Sequence, residues 1–425
     1  MNLQAVPDRQ ALLDQLRRAN QFTWLWITVH VIGIITLIAL IRWDQVVFAP
    51  IVSVTACLVI LGPFAMELAR TWGQKKKRIE DIKETTRFGE LDKYKLQTLY
   101  RETLQRLKLA DERLPVYVTS DKSLNAGAMR LGRIFGGLNG IYLHRQVLHK
   151  LRGDEVQAVM GHELGHYYRF NLANERFRLL TLVLGALVGI FAVQWTHTVG
   201  YLGFIIVSAI SSAFWFASGL GSIRHGRAIE FLCDDFGAQV NGIESSISGL
   251  LKVGLDAEMR FLIQLEVMAL NAGNELLTPG EMAAAVEKAI PYGHAAEPEL
   301  FEAVTRELKQ RTQANRSASL SGFIKYVWES DDDGDDLKEQ LEQQAKQINN
   351  IDRLEWESIL DDPQDVRLNL RQIEALVQMI VAAPEKSLFR ILGEGDGIHP
   401  ATSMRILYLW KNRNSAAELV ALDDR

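Results

Sequence analysis

Four long uncharged runs constrain this chain more than any other feature. Phe22 to Ile41 holds 20 residues without a charge, and Val46 to Met66 holds 21, with Pro50 and Pro63 among them. Leu179 to Gly200 and Tyr201 to Ile223 form a second pair. A helix needs about 20 residues to cross ~30 Å of hydrocarbon, so each run is long enough to span a bilayer. Buried helices of a soluble protein account poorly for two such pairs. The expected spans are therefore 22–41, 46–66, 179–200 and 201–223. Only Arg42, Trp43, Asp44 and Gln45 separate the first two, which reads as a tight helical hairpin. The first run is too long for a signal peptide, and no small-residue cleavage pattern follows it.

Charge placement orients these spans. Arg17 and Arg18 precede the first, and Arg70, Lys75, Lys76, Lys77 and Arg78 follow the second. Arg176 and Arg178 precede the third, and Arg224 and Arg227 follow the fourth. Basic flanks mark the cytoplasmic face, so both termini and every large polar segment are expected there. The net charge of −5 over 425 residues argues against a nucleic-acid binder. With two cysteines, Cys57 and Cys233, the chain has neither a disulfide framework nor a cysteine-rich zinc site.

The polar segments are expected to be mainly helical. Residues 74 to 112 carry spaced leucines and charges, a helical pattern. Val116 to Thr119 and Gly140 to Leu143 read as short strands of a small sheet. Residues 154 to 178 read as a helix, and residues 240 to 425 as mostly helical, broken at several prolines. Asp331 to Asp336 is a solvated acidic linker, because the positions of a calcium loop are not matched. The expected organisation is an N-terminal segment and hairpin (1–73), a catalytic domain with the second hairpin (74–240), a helical insertion for a partner or lid (241–395), and a C-terminal element (396–425).

The strongest chemical signal is His162-Glu163-Leu164-Gly165-His166. Two histidines four apart lie on one helical face, so both imidazoles can reach one metal ion. Glu163 sits beside them, placed to take a proton from a metal-bound water. A catalytic zinc usually has three protein ligands and one open position. Glu230 is the best candidate for the third, 64 residues after His166. Two spans lie between the motifs, so the chain returns to the face it left. Asp234, one turn after Glu230, is placed to accept the free ring N–H of a ligand histidine.

These residues together resemble the HtpX-type membrane zinc metallopeptidases, relatives of the CAAX prenyl endopeptidases. The likeness covers roughly residues 20 to 240 and a piece near 399. It includes the two leading spans, His162-Glu163-x-x-His166, two further spans, and Arg227-x-x-Glu230-x-x-x-Asp234 followed by Gly237-Ala238. The resemblance implies a gluzincin-like domain with His162, His166 and Glu230 as ligands of one zinc ion and Glu163 as the base. It also implies a site facing the cytoplasm of a bacterial inner membrane, polypeptide substrates, and a role in quality control. Leu124-Asn125-Ala126 resembles a stretch bordering the substrate cleft, which places Asn125 and Ala126 against substrate. His399-Pro400 and Arg405 resemble a C-terminal element near the zinc, where either side chain could stabilise an oxyanion; a helix cap and a structural ion pair are the plainer reading. Cys233 stands where the family usually has a small residue such as Ala, and about 160 residues separate the Glu230 segment from His399. An intramembrane protease is disfavoured, because the metal helix carries Asp154, Glu155, Arg169, Glu175 and Arg176. A CAAX-type processing enzyme and a non-catalytic membrane scaffold are the remaining alternatives.

Overall fold

The computed structural model describes residues 6–271 apart from 48, 111–113, 131–132, 174–177 and 199, a few positions between 286 and 310, residues 351–391 apart from 363–364, and residues 399–414. Its helices and strands begin with α1 (Arg9–Leu40), α2 (Trp43–Val47), α3 (Pro50–Gly73), β1 (Lys76–Arg78), β2 (Arg87–Phe88), β3 (Leu91–Asp92), α4 (Lys93–Arg106), β4 (Val116–Thr119), β5 (Ala126–Met129) and β6 (Gly140–His144). Then come α5 (Arg145–Lys150), α6 (Gly153–Leu164), α7 (Arg178–Trp195), α8 (Tyr201–Asn271), α9 (Leu370–Ala382) and α10 (Thr402–Asn412). The acidic run 331–336 and most of the interval 272–350 lie outside the described residues.

The apolar runs fold as helices because a helix satisfies its own peptide groups where no water can. Among the described residues, α1, α7 and α8 are long and apolar enough to cross a membrane, which makes this an integral membrane protein. Of the four expected spans, 22–41, 179–200 and 201–223 fall on these three helices, and 46–66 is divided between α2 and α3. α3 runs for 24 residues with Pro63 inside it, and α2 takes up the residues before it. Phe22, Leu25, Ile32 and Ile35 of α1 stand exposed. An apolar surface of this extent is stable against lipid rather than water. On their inner sides the spans pack closely. A Cβ added at Gly189 of α7 would lie 2.9 Å from Val207 Cα of α8, so these helices meet backbone to backbone.

The expected helix over 74–112 is confined to α4. Lys76 instead lies in β1, and its ammonium donates to Tyr142 Oη at 2.8 Å while sitting 4.7 Å from that ring's centroid. Tyr117 and Tyr142 are register partners on adjacent strands and stack at 5.0 Å. These cross-strand contacts override the helical pattern of the lysine run. The mixed sheet runs β1-β4-β6-β5, with β4 and β6 parallel and the two outer pairings antiparallel. The strands expected at 116–119 and 140–143 are thus the centre of the sheet, and β5 is one of its edges.

α6 packs on α8 at backbone distance. A Cβ added at Gly237 would lie 2.6 Å from Ala158 O, and one at Gly161 would lie 2.9 Å from Gly237 Cα. Any larger residue would push the two helices apart. Lys252 of α8 ties the start of α6 by donating to both oxygens of buried Glu155 at 2.7 and 2.9 Å. α8 breaks at Asn241–Gly242, where Gly242 has φ of +83°. Arg106 bonds Val240 O and Asn241 Oδ1 there, and Asn241 donates to Asp154 O at 3.0 Å.

The two ends of the chain meet behind the metal helix. Arg9 forms an ion pair with Asp235 of α8, both nearly inaccessible, and donates to Asn412 O of α10 at 3.1 Å. Tyr408 Oη donates to Asp235 at 3.3 Å. Leu12 and Leu16 of α1 are buried in the same core. Removing one partner of such a pair leaves a buried charge uncompensated, at a cost of about 3–5 kcal/mol. Arg9→Ala is therefore expected to lower the thermal unfolding midpoint of the purified protein clearly. An exposed control, Arg17→Ala, should leave it nearly unchanged.

Candidate active site

Three elements bring the polar residues together. α6 supplies His162 and Glu163, and the turn after it, Gly165–Arg169, supplies His166. That turn is π-helical, closed by the bond from Phe170 N to Gly165 O at 2.8 Å. Single π turns of this kind recur at functional sites. α8 supplies Glu230 and Asp234, which return beside the histidines.

The ligand atoms face a common point. His162 Nε2 and His166 Nε2 lie 3.1 Å apart. His166 Nε2 is 3.3 Å from Glu230 Oε1, and His162 Nε2 is 3.6 Å from Glu230 Oε2. Atoms bound at ~2.05 Å to a tetrahedral zinc lie about 3.3 Å from one another, so the three spacings fit the edges of one coordination tetrahedron. On the far side of His162, Nδ1 is 2.9 Å from Asp234 Oδ1. An ionised carboxylate only accepts, so Nδ1 carries the proton and Nε2 presents its lone pair inward. Asp234 is itself gripped by Arg405, with Nε to Oδ2 at 2.6 Å and a second bond from Nη2.

Electrostatics favour a cation here. Burial would raise the Glu230 carboxyl, but the His166 hydrogen bond and the charges of His162, His166 and Arg405 bring it down to about 2. Burial also opposes ionisation of Asp234, yet Arg405 and His162 hold it at about 2. Burial disfavours charge on His166 as well, but the hydrogen bond to Glu230 and the charge of Glu163 raise its pKa well above the ordinary value. Surroundings that favour a proton on that ring also favour a metal cation beside it.

Residues 90–254 match the family model described as peptidase family M48. This segment is an M48 metallopeptidase domain. No curated protein and no solved structure gives a significant match to the chain. His162, His166 and Glu230 form the metal-binding group of this domain, their donor atoms within 4.8 Å of one another. The M48 enzymes are zinc peptidases, and this donor set of two imidazoles and a carboxylate suits a catalytic zinc with one position left open.

The M48 site forms the floor of a cleft of about 1020 Å³. Glu163, Asn125 and Ala126 line it, as do His399 and Arg405. Ala126 begins the edge strand β5. His399 is exposed, with Nε2 3.7 Å from Glu230 Oε1. Arg405 is turned to Asp234 and reaches Glu230 Oε2 only at 4.0 Å. Cys233 is fully buried against Gly165, whose added Cβ would lie 3.1 Å from its sulfur. Burial pushes this thiol up to about 11, so it is a packing residue rather than a thiolate ligand.

Asp235 carries the Arg9 ion pair one residue from Asp234. Its partner lies 226 residues away, and no spacing pattern reports such a distance. The π turn and the edge strand β5 are likewise invisible to hydrophobic periodicity, being short and set by tertiary packing.

Proposed function

We propose that the protein is an HtpX-type membrane zinc endopeptidase that cuts exposed segments of membrane or misfolded polypeptides at the cytoplasmic face of a bacterial inner membrane, in protein quality control. The observation that carries this reading is the ligand triad lying in a cleft bordered by the edge strand β5. A polypeptide can add to such an edge through its backbone, which tolerates many side chains. Leu179, at the start of α7, lines the same cleft, so the cleft reaches the membrane end of the domain. In this reading α3 completes a fourth span, and the basic residues flanking the spans keep both termini and the site in the cytoplasm.

Zinc at this site supplies Lewis acidity to a carbonyl and to water. Glu163 takes the proton of the attacking water and passes it to the leaving amine. His399, exposed in the cleft beside Glu230, donates to the oxyanion, whereas Arg405 is a positioning residue acting through Asp234. Asn125 and Ala126 hold the substrate strand at the start of β5. Asp234→Ala is expected to weaken zinc affinity by about 10–100-fold by freeing the His162 ring. Competition with a chelator of known affinity measures this.

Zinc-loaded protein in lipid nanodiscs should cleave an unmodified membrane polypeptide in its exposed segments, and phenanthroline should stop the reaction. Cleavage confined to a prenylated peptide would replace this reading with a CAAX-type processing activity. Zinc-loaded protein that cleaves neither substrate would favour a scaffold.

A further inference from the structure

Away from the active site, α1 and α8 form an open groove of about 620 Å³, lined by Ala11, Gln15, Arg18, Ala19, Phe22, Arg224 and His225. Its volume falls within the roughly 300–1,000 Å³ usual for small-ligand sites. Gln15 Nε2 and His225 Nδ1 lie 2.8 Å apart and pin the two helices at this level. That level is the membrane surface, because the uncharged run of α1 begins at Phe22 and that of α8 ends at Ile223. Arg18 and Arg224 therefore line one groove at the level of the lipid headgroups. Both are exposed, and among the described residues neither has an ion-pair partner. The nearby Asp14 is engaged by Arg17 at 3.3 Å and by Gln10 at 3.1 Å. On the bilayer side of the arginines, Phe22 is 70% exposed, and Leu25, Leu220 and Ile223 are exposed as well.

We propose that this groove binds an anionic phospholipid, with its phosphate between Arg18 and Arg224 and its acyl chains along Phe22, Leu25, Leu220 and Ile223. Two unpaired guanidiniums at a headgroup level match a phosphate, which both can bind through paired donors. The apolar floor that continues into the bilayer distinguishes a lipid from a soluble anion. Basic pockets between spans are recognised headgroup sites. The inference rests on the membrane-spanning reading of α1 and α8, and is independent of the proteolytic activity.

The test uses the full-length protein in neutral detergent, titrated with phosphatidylglycerol or phosphatidylcholine, with bound lipid counted by native mass spectrometry. Phosphatidylglycerol should bind about 30-fold more tightly, the preference expected of two basic residues at a membrane surface. The double variant Arg18→Gln/Arg224→Gln should abolish that preference, while Arg17→Gln should keep it. Ala11→Trp fills the groove and leaves both charges, so it should weaken phosphatidylglycerol binding even if the double variant fails to fold. Equal binding of the two lipids, or a preference that survives Ala11→Trp and the double variant, would overturn the proposal. Displacement of phosphatidylglycerol by an equal concentration of inorganic phosphate would assign the site to a free anion and overturn the lipid.

Discussion

Glu163→Gln is expected to lower peptide cleavage by about 10²–10⁴-fold, the range attributed to a positioned general base, while one zinc per chain is retained. The substitution keeps the shape of a buried side chain in the cleft and removes only its ability to take a proton. His162, His166 and Glu230 are untouched, so the donor set remains complete. Zinc content by elemental analysis and turnover of one substrate, measured on the same preparation, separate these effects. Full activity in the Gln variant would remove Glu163 from the chemistry. Loss of zinc together with activity would make its role structural.

Glu230→Ala is expected to lose both zinc and activity. The carboxylate lies 3.3 Å from His166 Nε2 and 3.6 Å from His162 Nε2, and no other described carboxylate joins the group. Its removal should cost more than the ~10–100-fold caused by loss of a supporting hydrogen bond. Arg405 and the two imidazoles would then lose the carboxylate they share. Zinc competition with a chelator reads the first effect and turnover the second. Wild-type zinc affinity in this variant would mean that another residue is the third ligand.

The parts legible in the sequence were those with a local period or a fixed spacing. A spacing of four from His162 to His166 puts both rings on one face, and two apolar runs between His166 and Glu230 bring the carboxylate back. Val116–Thr119 and Gly140–Leu143 were legible as strands because β-like residues cluster there between turn formers. The lysine run at 75–77 misled, since its place in β1 depends on Tyr117 and Tyr142, far along the chain. The run at 46–66 differs from its expectation at its start, where α2 ends and α3 begins at Pro50. Asp235 was illegible for the same reason as β1: its partner, Arg9, is near in space and remote in sequence. Cys233 packs against Gly165 of the π turn, where a Cβ would lie 3.1 Å from its sulfur.

The most direct test of the central claim is X-ray absorption spectroscopy of the purified, zinc-loaded protein. The account expects two imidazole nitrogens at ~2.0–2.1 Å and the rest oxygen at ~2.0–2.2 Å, with one histidine signal lost in His162→Ala. A sulfur shell at ~2.3 Å, or a histidine signal unchanged in that variant, would contradict it.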